Sequence, residues 1–197
     1  MNTQATMSLA TARPLGERHG LRLAVGARPE HNPGTLIREP HAPDLIAGVR
    51  IERLQLWPDD RGYFLEVMRQ GQGLSAELGA PPCQVSCALS YPGTIKALHY
   101  HFEQTDLWAP VQGQLQVCLF DLRTASPTFG ACNTLYLGTL QPWQVLIPPG
   151  VGHGYKVIGV EPAILCYVTN RLYNPADEGR LPYNDSGLNY DWETQHK

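Results

Sequence analysis

The sequence predicts an all-β domain, a sandwich or barrel of short strands, with an irregular arm before it. From Leu45 onward, short runs rich in β-branched, aromatic and leucine residues follow one another at intervals of about ten residues. Glycine, proline, aspartate and asparagine separate these runs, and the pattern of a long amphipathic helix is absent from the sequence. Many short strands divided by turns are typical of sandwiches and barrels.

Residues 1–44 differ in texture from the rest of the chain. They have no sustained hydrophobic period, and prolines interrupt them at Pro14, Pro29, Pro33, Pro40 and Pro43. We expect this arm to be partly disordered, or to become ordered by docking on the body of the chain or on a partner subunit. Residues 45–197 then form a single domain of ordinary size.

The predicted strands follow in order along this body. They span residues 48–56, 63–68, 84–90, 94–100, 105–111, 114–121, 133–137, 143–147, 154–158 and 163–169. Turns are expected at 58–60, 91–93, 126–128 and 148–150, where proline, glycine and aspartate cluster. Residues 72–77 are expected to form a short helix or a turn.

Composition excludes several classes of protein. The net charge is −3 and the isoelectric point is near 6.1, which gives no support to binding of nucleic acid or of an anionic membrane surface. No apolar run approaches the length of a membrane span, and the start of the sequence lacks the pattern of a signal peptide. The five cysteines are an odd number and lie mostly in apolar runs, so we expect reduced thiols in a cytoplasmic protein.

Histidines form the most informative pattern in the body. His99 and His101 are two apart on a predicted strand, so their side chains share one face. Asp106 follows after a short gap, and His153 comes after a tight turn. Three imidazoles and a carboxylate suit a divalent transition metal such as Fe, Mn, Ni or Zn, whereas the plainer alternative is a set of hydrogen-bonded barrel residues.

The spacing of these residues resembles the two sequence motifs of the cupins. Asp106 stands where the first motif normally has glutamate. The second motif, built around Gly150 and His153, lacks its usual first glycine and final asparagine, which are replaced by Pro142 and Val157. The resemblance implies a small jelly-roll barrel with these side chains at its mouth.

A narrower resemblance covers nearly all of residues 45–192. Its blocks are DRGYFLE at 60–66, IKALHY at 95–100, DLR at 121–123 with SPTFG at 126–130, IPPG at 147–150 with HGY at 153–155, and NPADEG at 174–179, followed by ND at 184–185 and DW at 191–192. They resemble the dTDP-4-dehydrorhamnose 3,5-epimerase family. The resemblance implies an isomerase that binds a nucleotide-linked 4-keto-6-deoxy sugar, needs no cofactor, forms a homodimer and serves carbohydrate biosynthesis.

The family resemblance also implies roles for individual residues. The base that removes the proton beside the ketone maps onto His99, and the acid maps onto Tyr167 by an ungapped count, whereas a count with an insertion selects Cys166. Substrate-binding positions map onto a further set of residues: Arg61 for the nucleotide phosphates, and Glu66, Gln84, Lys96 and His153.

The sequence departs from the family pattern close to the base. The lysine that stabilises the enolate falls at Asp106, and a glutamine two residues after the base is His101. The resemblance implies an aspartate on a C-terminal extension that orients the base, and we expect no counterpart of it among residues 1–197. Lys96 is the candidate for the lost positive charge, and Asp106 or Glu103 for the lost carboxylate.

Three hypotheses follow from these patterns. The first is a cofactor-independent nucleotide-sugar 3- and/or 5-epimerase that uses His99 and Tyr167. The second is a metal-dependent cupin that holds one divalent transition metal with His99, His101, Asp106 and His153. The third is a non-catalytic sugar-binding barrel. The first two are compatible, because a metal ion can itself stabilise an enolate.

Overall fold

The computed structural model describes residues 11–79 and 84–193 and confirms the all-β class. Its strands are β1 (Arg13–Arg18), β2 (Leu21–Val25), β3 (Thr35–Leu36), β4 (Arg50–Arg53), β5 (Leu56–Asp59), β6 (Gly62–Leu65), β7 (Gln84–Ser90), β8 (Ile95–His101), β9 (Asp106–Gln112), β10 (Gln114–Asp121), β11 (Cys132–Gly138), β12 (Trp143–Ile147), β13 (Val151–Ile158), β14 (Ala163–Thr169) and β15 (Glu178–Arg180). A 3-10 helix, Gly73–Glu77, lies where the sequence predicts a short helix or turn.

The strands form a cupin-like jelly roll. A six-stranded sheet has the order β15-β8-β13-β10-β11-β3, and a five-stranded sheet has the order β4-β12-β9-β14-β7. Two hairpins, β1-β2 and β5-β6, stand outside these sheets. Chain neighbours lie in opposite sheets at several points, as β8 and β9 do, which gives the crossing connections of a jelly roll.

The two main sheets enclose the largest apolar core. Strand β10 illustrates how the sequence builds it: Leu115, Val117 and Leu119 point between the sheets, and Cys118 and Phe120 point to the other face. Strand side chains alternate between faces, so a strand that is buried on both sides reads as a continuous apolar run. All of residues 115–121 are buried accordingly.

The described part of the N-terminal arm is more regular than the sequence suggests. Strands β1 and β2 pair antiparallel, and Leu23 and Val25 pack with Phe120 on the outer face of the six-stranded sheet. The Ala24 amide donates a hydrogen bond of 2.9 Å to the Leu122 carbonyl. The expectation of an irregular arm therefore needs correcting at residues 13–25, where short alternating apolar positions form a strand pair without a longer period. Of the two docking alternatives, this hairpin lies on the body of its own chain.

Most predicted strands of the body are confirmed to within a few residues. The predicted 48–56 strand is instead divided between β4 and the start of β5, and β13 starts at Val151, so that His153 lies within it. In the described part of the chain, no helix has the length and hydrophobicity needed to cross a bilayer.

The DLR and SPTFG blocks form a structural loop after β10. The buried Asp121 carboxylate accepts hydrogen bonds from the Arg123 guanidinium at 2.7 and 2.8 Å and from the Arg123 backbone amide at 3.1 Å. It also accepts bonds from the Ser126 and Thr128 hydroxyls. These residues therefore hold the β10–β11 connection.

Candidate active site

A cavity of about 320 Å³ opens at one end of the sandwich, between the two main sheets. Strands from both sheets contribute to it, β8, β13 and β15 from the larger sheet and β7, β9 and β14 from the smaller. Its lining holds most of the histidines and carboxylates that the sequence selects: His99, His101, Asp106 and His153, together with Gln84, Lys96 and Tyr167.

Strand alternation explains why these side chains face inward. On β8, Leu98 and Tyr100 pack into the apolar cluster outside the sheet, so His99 and His101 turn to the cavity. On β14, Val168 joins the cluster on the outer face of the smaller sheet, and Tyr167 faces inward. The side chains are thus held by strands whose opposite faces are buried, which limits their movement.

His99 stands directly opposite His153 in the β8–β13 pairing, with the ring centroids 6.4 Å apart. Burial, together with the charge of the neighbouring His153, lowers the pKa of His99 to about 4, while the negative charge of Glu178 acts in the opposite direction. At neutral pH the His99 imidazole is therefore uncharged and has a free lone pair that accepts a proton.

His101, Asp106 and His153 form a compact buried cluster beside His99. One ligand atom of each lies within 4.8 Å of those of the other two. Oδ2 of Asp106 is 3.1 Å from Nε2 of His153 and 3.7 Å from Nε2 of His101. Gln104, which the sequence did not single out, donates a 2.7 Å hydrogen bond to the other carboxylate oxygen, Oδ1.

The charge states of this cluster follow from its surroundings. Burial alone raises the pKa of Asp106, but the hydrogen bond and positive charge of His153, with the charge of His101, outweigh it and leave that pKa below its usual value. Burial lowers the pKa of His101, and His153 lowers it further. The cluster therefore combines a carboxylate with an uncharged imidazole at neutral pH.

The tautomer of His153 is set by its second ring nitrogen. Nδ1 lies 3.0 Å from the Val151 carbonyl, which only accepts hydrogen bonds, so Nδ1 carries a proton. Nε2, which faces Asp106, then has a hydrogen to donate only when the ring is a cation. When the ring is neutral, Nε2 carries a lone pair instead, and this lone pair faces the carboxylate oxygen Oδ2 of Asp106.

Two of the predicted binding residues lie outside this cavity. Arg61 sits at the β5–β6 turn with its side chain 82% exposed and paired with Asp59. Glu66 pairs with Arg69 at 2.7 Å and lines a separate depression. Neither side chain lines the cavity that holds His99 of the same chain.

The structure also separates other predicted candidates. Asp106 contacts His101, His153 and Gln104, and Glu103 instead pairs with His19 and Arg171 outside the cavity. Of the four predicted metal ligands, three gather in the cluster and His99 stands apart. The side chain of Cys166, the alternative acid, belongs to the opposite strand face from Tyr167.

Two of the lining residues, Glu178 and Arg180, were not singled out from the sequence. Glu178 and Arg180 enter the cavity from β15, which pairs with β8 beside His101 and His99. Trp108 packs edge-on against His153, with ring centroids 5.1 Å apart. A three-residue strand such as β15 is too short for periodicity to reveal. Trp108 is two residues from Asp106 on β9 and therefore lies on the same strand face, as its place in the cavity lining shows.

Comparisons with known proteins identify the family of this chain. The model of the family described as dTDP-4-dehydrorhamnose 3,5-epimerase matches residues 44–197. The chain belongs to the dTDP-4-dehydrorhamnose 3,5-epimerase family. Epimerases of this family are isomerases, and the resemblance deduced from the sequence blocks is thereby confirmed.

Two curated relatives match this epimerase family member over most of their own length. The spore coat polysaccharide biosynthesis protein SpsL of Bacillus subtilis is 42% identical over 155 residues, which are 78% of this chain and 100% of the relative. The probable low-salt glycan biosynthesis epimerase Agl13 of Haloferax volcanii is 35% identical over 153 residues, covering 76% and 96% of the two chains.

Solved structures of a dTDP sugar isomerase and of an epimerase share the fold. A dTDP sugar isomerase from Desulfovibrio desulfuricans superposes with a TM-score of 0.68 at 25% identity, over 75% of this chain and 92% of that one. An epimerase from Legionella pneumophila, solved in complex with dTDP-4-keto-L-rhamnose, gives a TM-score of 0.66 at 27% identity, over 76% of this chain and 80% of that one.

Proposed function

We propose that this protein is a dTDP-4-keto-6-deoxyhexose 3- and/or 5-epimerase that transfers protons at the carbon atoms beside the 4-keto group. The observation that carries the proposal is the meeting of His99 and Tyr167 in one cavity, one from each main sheet. Support for the substrate class comes from the family match and from the relative solved with dTDP-4-keto-L-rhamnose.

His99 acts as the base in this proposal. The ketone acidifies the neighbouring C–H bond, and the uncharged imidazole takes the proton while the bonding electrons move to the carbonyl oxygen as an enolate. Tyr167 then donates its phenolic proton to the opposite face of the carbon, which inverts the configuration. The reaction moves protons only, so its chemistry calls for no redox cofactor.

The remaining cavity residues serve binding. Lys96, Gln84 and Arg180 bring donors to the rim, where hydroxyl groups of the sugar and phosphate oxygens are the expected partners. Arg180 already pairs with Glu178 at 2.6 Å, which holds the guanidinium at the cavity wall. His153 lies opposite the base on the neighbouring strand, and in this proposal the side of its ring lines the sugar site.

Arg61 contributes to binding from a second copy of the chain. It lies on a hairpin that exposes Trp57 and Phe64, and such aromatic exposure favours a protein–protein contact. A homodimer in which this hairpin reaches the neighbouring cavity accounts for both the exposed aromatics and the distance of Arg61 and Glu66 from His99. We further infer a cytoplasmic location, because the described cysteines are all unpaired thiols.

The test is incorporation of solvent deuterium into a dTDP-4-keto-6-deoxy sugar, followed by proton NMR. Wild-type protein in D₂O is expected to exchange the C3 or C5 proton, or both, and His99→Asn to lower the exchange rate by about 10²- to 10⁴-fold. The matched control is His41→Asn, an exposed histidine outside the cavity, which leaves the rate unchanged. Binding of the sugar nucleotide without exchange in the wild type would support the sugar-binding hypothesis instead.

A further inference from the structure

The cluster of His101, Asp106 and His153 holds more ligand groups than proton transfer by His99 requires. The three residues come from β8, β9 and β13, strands of both sheets, and each is between 3% and 6% exposed. Burial of a carboxylate costs free energy unless a partner compensates for it. The buried Asp106 carboxylate therefore needs partners that carry positive charge or donate hydrogen bonds, and a metal ion bound by the cluster would supply the positive charge.

We propose that His101, Asp106 and His153 bind one divalent transition metal ion that takes the substrate's 4-keto oxygen, while His99 remains free as the base. The proposal rests on the epimerase function for the role of the ion, but not for its binding. Two imidazoles and one carboxylate suit the borderline ions Mn, Fe, Co, Ni and Zn.

The geometry of the cluster supports an ion. Ligand atoms that share a metal ion at about 2.1 Å stand roughly 3 Å from one another. Oδ2 of Asp106 lies 3.1 Å and 3.7 Å from the two Nε2 atoms, and one ligand atom of each residue lies within 4.8 Å of the others, so small side-chain movements would bring all three to one ion. Within the described residues, this is the one group of three or more histidine, cysteine or acidic side chains with such spacing.

The hydrogen bonds to these side chains are also of the kind that orients metal ligands. The Val151 carbonyl accepts a hydrogen bond from Nδ1 of His153 at 3.0 Å, which leaves the Nε2 lone pair facing Asp106. The Gln104 amide donates to Oδ1 of Asp106 at 2.7 Å and so directs Oδ2 to the two histidines. These two contacts do not use Nε2 of His153 or Oδ2 of Asp106. The Gln104 amide also lies 3.4 Å from Nε2 of His101, and a bound ion would replace that contact.

A simple ion pair between protonated His153 and Asp106 is the competing explanation. It accounts for the 3.1 Å contact but gives His101 no part in the pair, because its Nε2 is 3.7 Å from the carboxylate oxygen, beyond hydrogen-bonding distance, and has the Gln104 amide at 3.4 Å as its polar partner. His101 is nevertheless buried and stacked on His153, with centroids 5.5 Å apart. A metal ion uses both imidazoles, whereas an ion pair uses one.

The ion would also supply a positive charge that the proposed reaction needs beside the ketone oxygen. The family resemblance implies a lysine that stabilises the enolate, and Asp106 stands at that position. A carboxylate repels an enolate, whereas a metal ion held by that carboxylate attracts it and withdraws electrons from the ketone. When His99 takes the carbon-bound proton, the electron pair passes to the ketone oxygen and the resulting negative charge lies beside the cation.

The first experiment measures metal binding without reference to activity. Untagged protein is analysed for bound metals, and the metal-free protein is titrated with Co²⁺ and Zn²⁺ alone, with the Co²⁺ absorption spectrum reporting nitrogen and oxygen ligation. We expect one ion per chain. His101→Gln and Asp106→Asn are each expected to weaken binding at least tenfold, and Gln104→Leu to weaken it about 10- to 100-fold.

Matched variants separate a specific site from a loss of fold. His99→Asn is expected to bind the ion as wild type does while losing deuterium exchange, and the exposed His41→Asn to retain both properties. His101→Gln restores the residue implied by the family, so it serves as the ligand variant if Asp106→Asn fails to fold. Metal affinity that is unchanged in folded His101→Gln overturns the site.

The two proposals fail in different ways. A wild-type protein that binds none of these ions and exchanges deuterium in the presence of a chelator overturns the metal site and leaves the epimerase in place. A protein that binds one ion through the cluster but exchanges no proton of a dTDP-4-keto-6-deoxy sugar overturns the epimerase function and retains the metal site.

Discussion

His99 and His153 are direct cross-strand neighbours on β8 and β13, yet their polar contacts differ. His153 is fully engaged, with Val151 on one ring nitrogen and Asp106 on the other, and it belongs to the three-residue cluster. His99 stands outside that cluster with its ring centroid 6.4 Å from that of His153. One pair of facing positions in a sheet thus supplies a fixed histidine and a histidine available for proton transfer.

Replacement of Tyr167 by phenylalanine separates the two proton transfers. Without the phenol, His99 still removes the proton, and return of deuterium occurs on the original face. We expect epimer formation to fall about 10²- to 10⁴-fold while exchange with retained configuration persists, as measured by proton NMR in D₂O. Tyr91→Phe, at an exposed tyrosine outside the cavity, is the control. Equal loss of both processes would assign Tyr167 a role in binding.

Mixing two variants tests whether Arg61 acts on a neighbouring subunit. Arg61→Ala and His99→Asn are each expected to be strongly impaired as pure proteins. After subunit exchange, mixed dimers contain one site with both native residues, so equal mixing restores roughly a quarter of the wild-type rate. Light scattering reports the dimer in parallel. No recovery in mixtures shown to contain mixed dimers would place Arg61 and His99 in the same chain's site or in unrelated roles.

Asp121 is expected to be a stability residue without a part in catalysis. Asp121→Asn removes the charge that the Arg123 guanidinium contacts at 2.7 and 2.8 Å in the β10–β11 loop. Loss of one partner of a buried pair costs roughly 3 kcal/mol. Denaturant unfolding measures this, with the exposed Asp60→Asn as the control at near-zero cost. An unfolding free energy equal to that of the wild type in Asp121→Asn would contradict this stabilising role.

Two glycines with similar backbone angles distinguish backbone strain from steric contact. Gly113 and Gly159 have φ values of +72° and +82°, but an added Cβ at Gly113 lies 2.6 Å from the Pro162 carbonyl oxygen, whereas Gly159 has open space. Gly159→Ala is expected to lower the free energy of unfolding by about 1 kcal/mol, and Gly113→Ala by about 1–3 kcal/mol more. If thermal unfolding shows that Gly113→Ala and Gly159→Ala lose the same free energy of unfolding, the close packing at the β9–β10 turn is contradicted.

Thiol labelling checks the burial of the cysteines. Burial raises the pKa of Cys132 to about 12 and raises that of Cys118 well above its usual value, so neither thiol forms the reactive thiolate in the folded protein. In a Cys83→Ser background, we expect the exposed Cys87 to react rapidly with Ellman's reagent and Cys118 and Cys132 to react only after unfolding. Loss of the fast labelling phase in Cys87→Ser would assign that phase to Cys87.

The sequence predicts the body of the fold well because its strands are marked by apolar runs or by a period of two. Strands such as β10 and β14 are recognised from apolar runs alone. The N-terminal hairpin was missed because β1 is mostly exposed and its partner β2 has only five residues, so neither sustains a period. Its stability comes from contacts with Phe120 and Leu122, which are distant in sequence.

In the cavity, too, local sequence patterns were recognised and contacts between residues distant in sequence were not. Local spacing on β8 was enough to place His99 and His101 on one face, and the structure brings His153 opposite His99. Local spacing does not show which of four candidate ligands actually converge, because that depends on the distance between two sheets. Glu178 was missed because it reaches the histidines from β15, a short strand distant in sequence that pairs with β8, whereas Gln104 contacts Asp106 only two residues along the chain but lies outside any predicted pattern.

Strand β10 has a consequence for how the molecule unfolds. Its inward side chains belong to the core between the sheets, and its outward side chains belong to the core beneath the N-terminal hairpin. Neither core can open without disturbing the backbone that both share. The hairpin is therefore part of the same cooperative unit as the barrel, so the Ala24 amide, bonded to the Leu122 carbonyl, should exchange its hydrogen with solvent as slowly as the amide of Val117 at the centre of β10.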